Sequence, residues 1–138
     1  MQHSLLTAFL NGERPAGDFW REIEDEVDDC LAACAKHGSG RIIITDGPEA
    51  LLTREQMTVF VAALAEGKLP LRGASYIADA IIMSHAFVFE DDDVGDVVHL
   101  LADDSAPVTQ AELEGARCCQ SKANRSPQDG ARAVRAGA

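Results

Sequence analysis

Basic residues are scarce in this chain: 12 Lys and Arg stand against 23 Asp and Glu, and only Lys36, Lys68 and Lys122 among the twelve are Lys. Such a balance excludes nucleic acid and anionic membrane as natural partners, because both would be repelled. Aromatics are few as well, with one Trp and one Tyr in 138 residues, which suits close helix packing better than a broad β-sandwich. No window of about 18 apolar residues occurs, so no membrane-spanning helix is expected. The opening Met1-Gln2-His3-Ser4-Leu5-Leu6 has neither a basic n-region nor a sustained apolar h-region, which places the chain in the cytoplasm as an expectation. The four cysteines are too few for a disulfide framework: Cys30 and Cys34 are one helical turn apart and Cys118 and Cys119 are adjacent. Reduced thiols are the expectation.

Chemical signatures are missing too. No Gly-rich phosphate cradle is present, and no nucleophile sits in a recognisable turn. Cys30, Cys34 and His37 can be combined on paper with Cys118, Cys119, His85 or His99, but zinc sites usually carry two Cys pairs on turns, and here the first pair belongs to the apolar stripe of a helix. The acids lack the alternating loop spacing with a central Gly that an EF-hand uses. Asp79, inside an apolar helix between Tyr76 and Met83, needs a partner if buried, and an Arg or the Tyr hydroxyl is the expected donor. No catalytic residue, cofactor or metal ligand is therefore assigned. An enzymatic reading would need a deep pocket formed by Tyr76, Asp79 and His85.

What the chain has in abundance is acid, gathered in two blocks. Residues 22–29 are acidic at six of eight positions (Glu22, Glu24, Asp25, Glu26, Asp28, Asp29), and a second run covers Glu90, Asp91, Asp92, Asp93 and Asp96. The net charge is −11, but the stretch after Gln120 carries +3 (Lys122, Arg125, Arg132 and Arg135 against Asp129), leaving −14 on residues 1–120. The expected organisation is one acidic helical domain over 1–120 and a flexible basic tail over 121–138, whose few large apolar residues cannot offset its ordering entropy.

Hydrophobic spacing predicts an all-α fold: a single-domain bundle of five or six helices. A short helix over Leu5–Leu10 breaks at Gly12-Glu13-Arg14-Pro15. A long one follows to His37, with Phe19, Trp20, Ile23, Val27, Cys30, Leu31 and Cys34 as one stripe, and Gly38-Ser39-Gly40 ends it. Further helices are expected over 53–66, opened by the capping box Thr53-Arg54-Glu55-Gln56, over 72–85, after the cap Asp91, and over 109–120. Gly12 and Gly67, each three residues before a Pro, read as helix-hairpin joints. Arg41-Ile42-Ile43-Ile44-Thr45 is the best strand candidate; it could form a short two-stranded pairing with Phe87-Val88-Phe89 or run as a buried extended connector.

The pattern Leu5-Leu6-Thr7-Ala8-Phe9-Leu10-Asn11-Gly12-Glu13, followed by Ala16-Gly17-Asp18-Phe19-Trp20, resembles the opening of small bacterial immunity proteins of the colicin D immunity-like type. Ser75-Tyr76-Ile77-Ala78-Asp79-Ala80 with Phe87-Val88-Phe89-Glu90-Asp91-Asp92-Asp93-Val94 is similar to stretches of bacterial toxin-neutralising proteins. The resemblance implies a non-catalytic helical protein that binds and neutralises a cognate toxin, often by presenting acids to a basic nuclease domain. Charge points the same way, since a nuclease surface rich in Lys and Arg is attracted by an acidic inhibitor. The expected partner-binding residues are Glu22, Glu24, Asp25, Glu26, Asp28 and Asp29, with Asp92, Asp93 and Asp96 second. The competing reading is an acidic adaptor or decoy that occupies a nucleic-acid-binding protein, in regulation or phage anti-defence.

Overall fold

The chain begins with an eight-residue helix, α1 (His3–Leu10), which closes at Gly12 in the left-handed region (φ 75°). Pro15 then starts α2 (Ala16–His37), and Gly38, also left-handed, donates its N–H to the Cys34 carbonyl to end it. A computed structural model describes residues 1–103 and 108–123, of which 117–123 as backbone alone. The remaining elements are β1 (Ala50–Leu52), α3 (Arg54–Ala65), α4 (Leu71–Met83), β2 (Phe87–Phe89), α5 (Asp92–Ala102) and α6 (Gln110–Ala123). The fold is thus mostly helical, with one short strand pair, as the hydrophobic spacing predicts. The tail expected over 121–138 lies outside the described residues except for 121–123, which extend α6.

Local chemistry sets the helix starts. Thr53 accepts from Gln56 N–H (3.2 Å) while Gln56 Oε1 accepts from Thr53 N–H (3.0 Å), a reciprocal cap on α3. Asp91 accepts from Val94 N–H (3.0 Å) at the head of α5, and Thr109 and Glu112 make a second reciprocal cap on α6. The core gathers where the apolar stripes meet. Phe9 of α1 stacks on Phe19 of α2 (4.4 Å between centroids) and meets Phe60 of α3 edge-on (6.2 Å). α4 is the most enclosed helix, with Ala74, Ile77, Ala78, Ala80 and Ile81 buried, and both α2 and α5 pack on it. α6 lies on α3 through Leu113 and Ala116. Among the described residues, no helix is long and apolar enough to cross a membrane.

The strand pair keeps Phe87–Phe89, as expected, but not its expected partner. β1 is Ala50–Leu52, not 41–45, and it pairs parallel with β2 in the register Ala50↔Phe87, Leu51↔Val88, Leu52↔Phe89. A parallel pair needs a long crossover, which α3 and α4 supply. The β-branched run is instead occupied by the N-terminus: the Met1 ammonium donates to Ile43 O (2.9 Å), Thr45 N–H to Met1 O (3.1 Å), and His3 N–H to Thr45 Oγ1 (3.1 Å). With these groups engaged, 41–45 runs as an extended strap, Ile42 and Ile44 half-buried and Ile43 exposed.

Candidate functional site

The first acidic block does not present one face. Helical geometry of 100° per residue fans its six carboxylates around α2, and the structure gives them four destinations. Glu22 pairs with Arg14 of the α1–α2 turn. Glu24 and Asp28, one turn apart, face Arg72 of α4, at 3.5 Å from Nη2 and 3.0 Å from Nε. Glu26 points inward, where it takes the Met1 ammonium (2.6 Å) and the Tyr76 hydroxyl. Only Asp25 and Asp29, both exposed, have no hydrogen-bond or ion-pair partner among the described residues.

The second block divides in the same way. Arg54 holds Asp91 (Nε to Oδ2, 2.5 Å) and Asp93 (3.1 Å), and its own N–H donates to Glu90 (2.8 Å). The Val94 N–H, and after it the Arg54 guanidinium, hold the Asp91 carboxyl below the usual carboxylate range. Asp92 and Asp96 stand exposed on α5 without a partner among the described residues. The two blocks are served by different arginines, Arg14 and Arg72 for the first and Arg54 for the second.

Tyr76 is a hub that composition alone does not reveal. Its hydroxyl donates to Glu26 and accepts from Ile43 N–H (3.5 Å), joining α4, α2 and the strap. Burial, and then the bond to Glu26, pushes its ionisation above the ordinary tyrosine value. The hydroxyl is therefore spent on Glu26, not on Asp79, contrary to the tyrosine half of the expectation.

Beside this hub lies a cleft of about 440 Å³ walled by Val27, Cys30, Leu31, Cys34, Ile42 and Leu71. Arg72, Ser75, Tyr76, Asp79 and Asp103 add polar groups to its lining. The trio that an enzymatic reading requires is not assembled, since His85 borders a separate depression with Asp46, Glu49 and Ser84. Burial raises the Cys30 thiol, with the neighbouring Cys34 as the next cause, so this sulfur is held as a thiol rather than activated. Among the described residues no three His, Cys, Asp or Glu are grouped to hold a metal ion; the side chains of Cys118 and Cys119 lie outside them.

Protein-family models, curated proteins and solved structures give no match to the chain. The sequence reading missed the bases, not the acids. In so acid-rich a chain each Arg has several carboxylates in reach, so Arg14, Arg54 and Arg72 were the positions from which internal pairing could have been anticipated.

Proposed function

We propose that this protein is a non-catalytic immunity protein that acts in the cytoplasm by binding a cognate bacterial toxin, a nuclease domain with a basic surface. The observation that carries the reading is the exposed acid that has no partner among the described residues: Asp25 and Asp29 on α2, Asp92 and Asp96 on α5. Glu22, Glu24, Asp28 and Asp93 share their charge with an arginine but remain at the surface, and Glu26 acts inside the fold. Exposed unpaired charge of one sign steers an oppositely charged protein at long range and adds specificity.

The test is capture at low salt from a lysate of the source bacterium. The wild-type chain and an Asp25→Asn/Asp29→Asn/Asp92→Asn/Asp96→Asn variant serve as paired baits. A basic protein retained only by the wild type, whose expression arrests growth unless this chain is co-expressed, supports the reading. A retained nucleic-acid-binding protein that arrests nothing favours the adaptor instead.

A further inference from the structure

Cys30 and Cys34 converge on one point. They stand one turn apart on α2, Cys30 half-buried and Cys34 exposed, and a Cβ on Gly40 would fall 2.8 Å from Cys30 Sγ and 2.7 Å from Cys34 Sγ. The same Cβ would meet the Cys30 carbonyl at 2.5 Å, so glycine at this position lets the backbone leaving α2 close over both sulfurs. Both thiols also line the cleft, which gives a small solute access to them. A pair so placed has two chemical outlets, a disulfide or a shared cation, and helix geometry decides between them. Side chains four apart on a helix hold their Cβ atoms about 5–6 Å apart, whereas a disulfide needs about 3.5–4.5 Å. Joining the sulfurs directly would require the end of α2 to unwind. A cation between them needs no such movement, because two metal–sulfur bonds of about 2.3 Å each reach across the gap.

The donor set selects the cation. Thiolates are soft ligands, suited to Cu(I), zinc and iron–sulfur clusters. Structural zinc takes four protein ligands and iron–sulfur clusters are held by four cysteines. Among the described residues no third His, Cys, Asp or Glu joins this pair in a group able to hold a metal ion. A soft monovalent cation, by contrast, is satisfied by two sulfurs in line. We propose that Cys30 and Cys34 form a two-thiol clip for such a cation, Cu(I) being the physiological case. Two sulfur–copper bonds form as the two thiol protons leave to solvent, and no group changes its oxidation state. The bound ion would tie together the last turns of α2 beneath Gly40. This proposal stands apart from the toxin reading and holds or fails without it.

The experiment uses the full chain carrying Cys118→Ser/Cys119→Ser, which leaves Cys30 and Cys34 as its only thiols. Cu(I) is supplied without oxygen as its coloured bicinchoninate complex, and loss of that colour reports transfer to the protein. The expected result is one Cu(I) per monomer, an ultraviolet thiolate-to-copper charge-transfer band, and amide shifts within 27–42. Adding Cys34→Ser, at an exposed position, should weaken binding by roughly a hundredfold or more while circular dichroism stays unchanged. Zn(II) alone at the same concentration should leave those amides unmoved. Failure of the chain to take copper from the complex overturns the proposal, as does equal affinity after Cys34→Ser. Copper that binds only by joining two chains overturns the clip within one helix. Mild oxidation by diamide that closes a Cys30–Cys34 disulfide with helicity intact would also overturn it, since the pair would then be a disulfide site.

Discussion

Tyr76 on α4 donates its hydroxyl proton to Glu26 on α2, a carboxylate that also takes the ammonium of Met1. One acid of the most acidic segment is thereby a fastener between helices rather than a contact for a partner. Tyr76 is the sole tyrosine, so its ionisation can be followed by ultraviolet absorbance without interference. Burial first, and the Glu26 bond second, raise its folded value above the ordinary one near 10. A raised folded value means that the stabilisation is complete below the unfolded value and is lost as pH rises through the folded one. The tyrosinate signal should stay absent through about pH 10 and emerge only together with alkaline unfolding. A normal titration in the folded chain would contradict this.

Replacing that phenol tests the fastener directly. Tyr76→Phe keeps the ring and removes the donor, leaving Glu26 to the ammonium. Urea unfolding should show a loss of about 1 kcal/mol with an unchanged slope. An unaltered midpoint would mean that the hydroxyl contributes nothing.

Acid sensitivity should trace to Asp91. Its carboxyl is held low by Val94 N–H and by Arg54, so the stabilisation is present above the unfolded value and is lost as pH falls through the folded one. Asp91→Asn retains a side chain able to cap α5 but has no charge to titrate. The variant's stability should therefore vary less than the wild type's below about pH 4. Parallel pH profiles would assign the acid sensitivity elsewhere.

Gly73 lets the only tryptophan lie against α4. A Cβ there would sit 2.5 Å from the Trp20 ring, over which the Arg72 guanidinium stacks at 4.9 Å from the centroid. Gly73→Ala should cost about 1–3 kcal/mol through overpacking and shift Trp20 emission as the indole moves. Unchanged fluorescence together with unchanged stability would contradict the contact.

Much of the fold was legible because it is written in local chemistry. Thr53-Arg54-Glu55-Gln56, Asp91 and Thr109-Gln110-Ala111-Glu112 announce helix starts, and Gly12, Gly38 and Gly67 announce ends, each in the left-handed region. Phe87–Phe89 was legible as one strand of a pair, but its partner was not, since β propensity at Ile42–Ile44 was overridden by hydrogen bonds from the N-terminus and Ala50–Leu52 carries little propensity of its own. The acids were visible, but their sorting depends on where Arg14, Arg54 and Arg72 arrive in space, which spacing along one helix does not encode. The exposure of Leu31 and Cys34 at the end of the α2 stripe is likewise set by tertiary packing, which periodicity along one helix does not encode.

The most direct test of electrostatic recognition is the association rate of the captured basic toxin, measured against ionic strength for the wild type and for Asp25→Asn/Asp29→Asn. Steering predicts that the wild-type rate falls by roughly an order of magnitude or more from low to physiological salt, and that the variant starts slower and responds less. Rates that ignore both salt and the two substitutions would contradict the account.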